Sequence, residues 1–577
     1  MVVASPVHDE PAVQSTTEVF TALRELAVLL EFAGAPKFKV KAYERGAEVV
    51  KTVGDLGPLV EQGRLGELEG IGATLSSQIQ ELWNTGSSNY LLRLRGEQPP
   101  GTSELAQVEG LTPRRLRVLV EGLGVRSVVQ LRAACADGRV RNLARFGAKT
   151  EARLLQACDR WLRRSEQAPA PTLLARARER AAVLQPALLE VTERVELVGA
   201  VRRGEETLRE LEWVVLGDAG AALQHVSSLR QVLRAEPHAR RAYLSEGLQL
   251  RLHSATAADW GNALVLATGN DAHVAALSRR AASRGFALQG PGPVRLFESE
   301  QALYAALDLA LVPPELRVGG DELHRAETSD FDDLVSEHDI LGLVHCHTRY
   351  SDGKNSVLEM AQAAHARGMK YLTITDHSPS AHYANGVPLD QLKAQWDEIA
   401  AAEETVPIRI LRGTESDILA DGTLDYPDSV LEKFDVVIAS IHARHRMDRA
   451  AMTERLVRAM SLPIFKIWGH GLGRILNHRE PIDCDVPAVL DALSLSRGAI
   501  ELNSDPHRLD LPPAWIPAAR ARNLPFVISV DAHSTRGFDV LRYGAIMARR
   551  GGLRRQEVLN TESAERFIQL VRPTGTA

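Results

Sequence analysis

The spacing of apolar residues changes along the chain. Over residues 17–53 they recur every three to four positions, which predicts helices. Two strand-like runs around a turn occupy 195–217, a helical stretch follows at 223–233, and another strand-like run lies at 247–254. A helix within 303–317 is predicted to end at its two prolines. After residue 339 short β-like runs alternate with helical segments. The pattern predicts a helical N-terminal region, a mixed α+β middle region and a C-terminal α/β region.

Glycine-containing turns precede helical stretches three times in the N-terminal region. The first places Gly70 and Gly72 around one apolar residue. Weaker copies contain Gly110 and Arg145, the latter where a glycine is expected, so the third hairpin is predicted to be altered. Glycine permits the tight turn, and the N–H groups at the next helix start bind phosphate without reading sequence. The repeats predict helix-hairpin-helix units that grip the DNA backbone.

Charge supports this assignment. The chain has a net charge of −6, yet residues 18–164 contain 22 Lys plus Arg against 17 Asp plus Glu, so this segment is about +5 and the rest about −11. Lys37, Lys39 and Lys41 lie close together within it. They form either a solvated basic face or a DNA contact, and whether one of them is a lyase nucleophile stays open.

Length and composition indicate a multidomain protein of ordinary globular type, with 577 residues, 45% of them hydrophobic and 25% charged. No apolar run approaches the roughly 20 residues of a membrane span. Residues 1–15 lack the features of a secretory signal and predict a disordered lead, and residues 163–172 read as a linker. Four cysteines without metal-knuckle spacing fit a reducing compartment, so we expect a cytoplasmic protein.

Histidines and carboxylates follow the β-like runs of the C-terminal region. His345 and His347 share one face of a strand end, because side chains on a strand repeat every two residues. Parallel strands of a barrel end at one rim, where ligands from separate strands meet. The nine candidate ligands are His345, His347, Asp352, His377, Glu415, His442, His470, Asp531 and His533. Imidazole and carboxylate without thiolate suit Mn²⁺, Zn²⁺ or Fe, and the metal's identity stays open.

Clustered divalent ions suit the hydrolysis of phosphate esters, because they lower the pKa of bound water and bind phosphate oxygens. No separate nucleophilic side chain is then needed. Arg474 and Arg508 are candidates for a phosphate clamp, and the alternative is that they are surface or structural arginines. The C-terminal region is therefore predicted to be a metal-dependent phosphoesterase.

Residues 339–560 resemble the PHP (polymerase and histidinol phosphatase) family, since every expected ligand position is filled. The resemblance implies a distorted seven-stranded α/β barrel with three metal ions. It implies a first ion held by His345, His347, Glu415 and Asp531, a second bridged by Glu415 and held by His442 and His470, and a third held by Asp352, His377 and His533. Gly471 stands where the family usually has proline.

The whole chain resembles the bacterial family X DNA polymerases, which carry a PHP domain at the C-terminus. PKFKVKAYERGA, the first hairpin, GAVRRGE, TGNDAH and VPPELR occur in the expected order. The resemblance implies α-helical helix-hairpin-helix domains, an α+β nucleotidyltransferase-type palm and thumb, and the PHP barrel. The implied boundaries are an eight-kilodalton domain at 16–95, fingers at 96–165, palm at 166–260, thumb at 261–325, linker at 326–338 and PHP domain at 339–577.

The palm departs from the family pattern of three aspartates that hold two metals. The corresponding positions are Glu210, Glu212 and Gln249. Gly199, Ala200 and Arg203 match the family's nucleotide-binding turn, with alanine replacing a serine. A longer carboxylate shifts the metals and a neutral amide removes a charge, so we expect weakened synthesis that favours Mn²⁺ over Mg²⁺. The alternative is that both glutamates are solvated strand residues.

Together these features predict a DNA-repair enzyme, in which a weakened gap-directed polymerase is joined to a metal-dependent 3′–5′ exonuclease. The expected partners are gapped, nicked or 3′-recessed DNA, and deoxynucleoside triphosphates if the palm is active. We expect a monomer in the bacterial cytoplasm, associated with the nucleoid. Two alternatives are a DNA-binding scaffold with an inactive palm and a structural metal domain, and a PHP small-molecule phosphatase, against which the DNA-binding N-terminus argues.

Overall fold

The computed structural model describes residues 16–53, 56, 59–60, 64–85, 88, 90–91, 94, 105–106, 108, 110–144, 146–166, 171–229, 232–244, 248–328, 331–445 and 447–573. The chain forms two compact units, of which the first comprises Met1–Pro171, Ser228–Arg234 and Tyr243–Gly247 and the second the remaining residues. The predicted lead and the altered hairpin at Arg145 lie outside the described residues. Among the helices described, none combines the length and apolar character that a bilayer crossing requires.

The first unit is helical where residues 16–166 are described. Helices α1 to α6 are Thr16–Phe32, Lys37–Val53, Ala73–Thr85, Pro113–Leu123, Val128–Ala136 and Ala148–Glu166, with 3₁₀ helices at Leu65–Glu67 and Val140–Asn142. Gly70 and Gly110 have φ of +93° and +85°, which glycine adopts without strain. Helices α3 and α4 start three residues after these glycines. The first two predicted hairpin turns are therefore present.

A five-stranded sheet follows, most of it in the second unit. In spatial order its strands are β2 (Val195–Val198), β4 (Glu210–Leu216), β7 (Gln249–Ala255), β6 (Arg241–Leu244) and β5 (Val232–Glu236). Strand β4 pairs antiparallel with β2 and parallel with β7. A separate ribbon joins β1 (Thr172–Leu173) to β3 (Thr207–Leu208). Helices α7 to α9 are Leu174–Leu189, Gly199–Arg202 and Ala219–Val226.

The helix predicted over 223–233 is wrong at both ends. The Asp218 side chain accepts a hydrogen bond from the Gly220 N–H and caps α9, so this helix starts at Ala219 and ends at Val226. Val232 and Leu233 belong instead to the edge strand β5. A short apolar run does not by itself distinguish a helix from a strand.

Four helices follow the sheet. Helices α10 to α13 are Trp260–Thr268, Asp271–Ser283, Glu300–Ala306 and Glu322–Thr328. The prolines at 313–314 do not end a helix as predicted, since α12 already ends at Ala306. The chain turns at Asp308, where φ is +52°, and the second proline starts the 3₁₀ helix Pro314–Leu316.

Seven parallel strands form the barrel predicted for the C-terminal region. Strands β8 to β14 are Gly342–Leu343, Tyr371–Ile374, Arg409–Asp417, Val436–Ser440, Lys466–Trp468, Gly498–Asn503 and Phe526–Ser529. They lie in sequence order, and the barrel nearly closes where the Val530 N–H donates to Val344 O at 3.0 Å. Helices α14 to α21 are Val357–Ala366, Leu392–Thr405, Asp428–Leu431, Arg449–Met460, Val486–Leu495, Ile516–Arg520, Leu541–Arg550 and Ala564–Val571. All strands run in one direction, so their C-terminal ends form one rim.

Candidate metal centre and palm site

The barrel rim carries the predicted metal ligands. His345 and His347 follow β8, Glu415 lies in β10, and His442 and His470 each come two residues after a strand. The structure brings all nine predicted ligands into clusters whose donor atoms lie within 4.8 Å of one another. The clusters are His347, Asp352, His377 and His533; His345, His470 and Asp531; His345, His347 and Glu415; and His377, Glu415 and His442.

Glu415 lies at the centre of these clusters and is 1% exposed. Its Oε1 lies 2.8 Å from His470 Nε2 and 3.2 Å from His442 Nε2. Its Oε2 lies 3.0 Å from His377 Nδ1 and 3.3 Å from His345 Nε2. Because the two oxygens face different histidines, this carboxylate is placed to bridge two ions.

Asp352 forms the more open side of the centre, with a side chain that is 31% exposed. Its carboxylate lies 3.4 Å from His533 Nε2 and 3.7 Å from His377 Nε2. On the enclosed side, Asp531 lies 3.4 Å from His347 Nε2 and 3.6 Å from His345 Nε2. The cluster is therefore more exposed to solvent at Asp352 than at Asp531, whose side chain is 8% exposed.

Several donor atoms of the centre are buried and make no hydrogen bond within the described part of the chain. They are His345 Nε2, both ring nitrogens of His347, Glu415 Oε2 and His470 Nδ1. Buried polar atoms cost free energy unless a partner satisfies them, and a cation at the centre would satisfy these. The donor set fits a divalent metal ion.

Two of the ligands, Glu415 and His347, have the protonation state that metal binding requires. Burial alone would raise the pKa of Glu415, but His442, His345 and His377 hold it well below its usual value. Burial, together with His533 and His377, lowers the pKa of His347 to about 4, so this imidazole is neutral at pH 7. Ionised carboxylates and neutral imidazoles are the forms that bind metal.

The palm glutamates have different neighbours. Glu210 Oε1 accepts a hydrogen bond from Arg251 Nε at 2.8 Å, and Glu212 Oε2 lies 3.0 Å from His253 Nε2. Gln249 faces Glu210 across the β4–β7 pair, and Arg251 and His253 follow it on the same face of β7. Sequence reasoning missed Arg251 and His253, which look like ordinary alternating strand residues.

The predicted nucleotide-binding turn lies against these glutamates. Gly199 has φ of +71°, and a Cβ there would lie 2.2 Å from Glu212 Oε1, so no larger residue fits without a shift. Ala200 lies in the same short helix, α8. Arg203 follows it and is bound within the protein, through Nε to Glu205 at 2.9 Å and through Nη1 to Thr268 O at 2.7 Å.

Comparison with known families matches a helix-hairpin-helix domain at 15–88, a DNA polymerase beta thumb at 263–318 and a PHP domain at 344–479. The DNA polymerase/3′-5′ exonuclease PolX of Bacillus subtilis (strain 168) is 31% identical over 568 residues, which cover 95% of this chain and 97% of that protein. The chain belongs to the bacterial family X DNA polymerases. The predicted family and fold class are thereby confirmed, and the matched domains mark a DNA-binding protein.

Other relatives of this family X polymerase match only part of the chain. A probable phosphatase of Thermoanaerobacter sp. (strain X514) is 28% identical over 230 residues, which cover 38% of this chain and 89% of that protein. A probable phosphatase of Caldanaerobacter subterraneus subsp. tengcongensis is 31% identical over 166 residues, covering 28% of this chain and 61% of that protein.

The clusters in the family X polymerase divide the nine ligands differently from the sets that the resemblance implies. His347 lies with Asp352 as well as with Glu415, and His377 lies with Glu415 and His442 as well as with Asp352. The nine residues come together as a group, whereas their division among individual ions stays a prediction.

Two buried carboxylates outside the predicted set orient the ligands. Glu501, on β13, accepts hydrogen bonds from His345 Nδ1 at 2.5 Å and from the His470 N–H. Asp417, at the end of β10, bonds His442 Nδ1. Fixing one ring nitrogen directs the other toward the metal position. The signal was present in the sequence, since both carboxylates lie near strand ends that point to the same rim.

The two predicted phosphate-binding arginines of the family X polymerase have different surroundings. Arg508 Nε lies 3.7 Å from Asp531 Oδ2 and 3.8 Å from Asp505 Oδ2, beside the metal cluster. Arg474 instead makes a two-bond ion pair with Glu206 of the palm region. The contact of Arg474 fits the alternative of a structural arginine, while the position of Arg508 fits a phosphate contact.

The predicted DNA-binding residues lie at the starts of three helices. Lys37, Lys39 and Lys41 occupy the beginning of α2; Lys37 and Lys41 are exposed, and Lys39 Nζ lies 4.8 Å from the centre of the Tyr90 ring. Gly70, Gly72 and Gly110 are exposed in the turns before α3 and α4. These positions are compatible with both a DNA-binding surface and a solvated face, so the assignments stay predictions.

Proposed function

We propose that this family X polymerase removes nucleotides from the 3′ ends of DNA with its barrel centre and synthesises DNA only weakly with its palm. The contrast between the two sites carries the proposal. The barrel gathers nine donors, several of them buried without hydrogen bonds, while Glu210 and Glu212 are occupied by Arg251 and His253. The Bacillus subtilis relative is named for both a polymerase and a 3′-5′ exonuclease activity.

Up to three divalent ions would be held by the nine donors, with Mn²⁺ or Zn²⁺, and also Fe, suited to the ligand types. Bound ions supply the charge that polarises the phosphate ester and activates water. Glu415 would provide a carboxylate shared between ions. Glu501 and Asp417 fix the orientation of the His345 and His442 rings. Arg508, beside Asp531, is placed to bind a nonbridging phosphate oxygen. The open Asp352 side admits the DNA end.

Synthesis in the palm requires rearrangement. Mn²⁺ or Mg²⁺ would have to displace Arg251 from Glu210 and bind beside the neutral Gln249. Arg203 would have to leave Glu205 in order to reach a triphosphate. These steps make gap filling slow, and Mn²⁺, which tolerates imperfect geometry, is the favoured ion.

The proposed partners follow from the same domains. Gapped, nicked or 3′-recessed DNA would lie along the hairpin turns and the lysines of α2, and deoxynucleoside triphosphates would bind at the palm. We place the enzyme as a monomer in the bacterial cytoplasm, at the nucleoid, where such DNA ends arise.

The test uses a DNA primer labelled at its 5′ end, Mn²⁺ and no nucleotides. Wild type should shorten the primer from its 3′ end, and His345→Ala with His347→Ala should abolish shortening. Glu210→Gln with Glu212→Gln is a matched double change in the palm, and this variant should shorten the primer as wild type does. Equal shortening by the barrel variant and wild type would refute the proposal, and shortening by neither would support a DNA-binding scaffold.

A small-molecule phosphatase is a second candidate, because two relatives that match part of the chain are named probable phosphatases. Comparing turnover of p-nitrophenyl phosphate with that of 3′-recessed DNA separates the two. We expect DNA to be the better substrate, and a reversed preference would favour the phosphatase.

A further inference from the structure

The palm turn that carries the nucleotide-binding residues is joined to the barrel loop that carries His470. Arg474 comes four residues after His470, and its Nη1 and Nη2 lie 3.2 and 2.8 Å from the two carboxylate oxygens of Glu206. Glu206 comes three residues after Arg203. The Arg474 side chain is 8% exposed and that of Glu206 22%, so the ion pair is sheltered from solvent screening.

A second contact fixes the same turn. Gly204 has φ of +71°, and a Cβ there would lie 2.1 Å from Ile546 Cγ2 of barrel helix α20. Arg550 of that helix donates to Gly204 O at 3.1 Å. The turn is therefore held against the barrel by its backbone as well as by the ion pair, and close-packed contacts of this kind transmit small shifts.

The barrel end of the connection is also tied down. The Leu472 N–H donates to Asp510 Oδ2 at 3.1 Å, and the Arg474 guanidinium donates to Leu509 O. The His470 N–H donates to Glu501, the carboxylate that also holds His345. Residues 470–474 thus form a short hydrogen-bonded loop with a metal ligand at one end and the palm contact at the other.

We propose that metal occupancy of the barrel centre is linked to the order of the palm's nucleotide-binding turn, with Arg474 and Glu206 as the positioning residues. The inference rests on the proposed function, since it requires the barrel to bind metal. Metal binding fixes His470 and its loop, and the ion pair then restricts residues 199–206. By thermodynamic reciprocity, a nucleoside triphosphate bound at the palm strengthens metal binding in the barrel by the same factor.

Hydrogen–deuterium exchange of backbone residues 199–208 tests the link. The full chain would carry Glu210→Gln and Glu212→Gln, so that added Mn²⁺ loads the barrel and not the palm. We expect Mn²⁺ to slow exchange of 199–208 by about fivefold or more. Adding Glu206→Gln should remove this slowing at unchanged Mn²⁺ content. If Glu206→Gln unfolds the palm, Arg474→Lys, which keeps the charge but not both bonds, should show reduced slowing.

Glu315→Gln is the matched control. It removes the 2.7 Å ion pair with Arg549, which joins the same helix α20 to the Pro314–Leu316 turn without touching residues 470–474. The slowing must survive in this variant. The inference would be overturned if Mn²⁺ slowed exchange equally with and without the Glu206→Gln change. Loss of the slowing in both Glu206→Gln and Glu315→Gln would overturn it as well. If the starting protein binds no Mn²⁺ and hydrolyses no DNA, the proposed function fails. If it binds Mn²⁺ and hydrolyses DNA but hydrogen exchange of residues 199–208 is not slowed, this inference alone fails.

Discussion

Glu501 is a buried carboxylate that contacts two metal-ligand histidines, His345 through the side chain and His470 through the backbone. Glu501→Gln removes the charge that fixes the His345 ring, so we expect metal affinity to fall by 10- to 100-fold. The Mn²⁺ concentration that half-activates DNA hydrolysis measures this. Asp491→Asn, which breaks an exposed ion pair with Arg522 in the same domain, should not change it. An unchanged half-activation in Glu501→Gln would show that Glu501 does not act on the ligands.

Lys466 is buried in β12 among neutral acceptors, with Nζ donating to Ile464 O at 3.2 Å and to Ser496 Oγ at 3.0 Å. Burial, helped by Arg497, lowers its pKa to about 7. An unfolded lysine has a pKa of about 10.4, so between pH 7 and 10 the unfolded chain binds more protons than the folded chain. The free energy of unfolding therefore rises with pH across this window.

The matching prediction concerns Lys466→Met, which lacks the titrating group. Relative to this variant, wild type should gain on the order of 3 kcal/mol of unfolding free energy from pH 7 to pH 10. Urea unfolding of both proteins at the two pH values measures the difference, in which the other titrating groups cancel. Parallel pH profiles for the two proteins would show that the ammonium is well solvated or paired.

Residue type and position were enough to predict that nine candidate metal ligands meet at the barrel rim, because most of them stand at or shortly after a strand end. Arg251 and His253 could not be predicted in the same way. They alternate along β7 like surface residues, and only the pairing register of β4 with β7 places them beside Glu210 and Glu212.

At the scale of elements, the proposed weakness of DNA synthesis in the palm depends on the residues of the β4–β7 pair. Gln249→Asp with Arg251→Ser adds a carboxylate and removes the guanidinium from Glu210, so Mn²⁺-dependent primer extension should rise by about tenfold, or about 1.4 kcal/mol of barrier. Gap-filling rates measure this. Arg240→Ser, an exposed arginine in a turn of the same sheet, is the control. No gain in extension would mean that the palm is limited elsewhere, for instance at Arg203.

Element prediction succeeded where patterns were strong. Six of the seven barrel strands end at or near a predicted ligand, so these strands were readable from the sequence, whereas β13 carries no predicted ligand. It failed at 223–233, where an edge strand and a helix share one apolar run, and near Pro313, where the helix ends earlier than the prolines. Both errors concern boundaries that side-chain capping and sheet pairing decide, and neither shows in periodicity.

At the scale of the whole molecule, Gly204 tests the fit between palm and barrel. Gly204→Ala places a Cβ 2.1 Å from Ile546 Cγ2, so we expect a loss of about 1–3 kcal/mol beyond backbone strain. Gly285→Ala is the control, because Gly285 also has positive φ but has open space around it. Chemical denaturation of Gly204→Ala, Ile546→Ala and the double variant should show partial recovery in the double. Additive losses would mean that the two residues are not in contact.

Domain order was readable from the sequence, but the contact between palm and barrel was not. Glu206 and Arg474 are separated by 268 positions, and nothing near either residue marks the other as its partner. This is why Arg474 was a candidate for either a phosphate ligand or a structural arginine: its place after His470 was visible, while its ion pair depends on how two domains pack.

DNA hydrolysis by the barrel of this polymerase is proposed to exceed DNA synthesis by the palm. One reaction with a 5′-labelled primer at a one-nucleotide gap, Mn²⁺ and all four deoxynucleoside triphosphates compares the two rates. We expect shortened primers to accumulate faster than extended primers in wild type. In His347→Ala we expect extended primers to accumulate faster than shortened ones. Extension that outpaces shortening in wild type, or shortening that persists in His347→Ala, would contradict it.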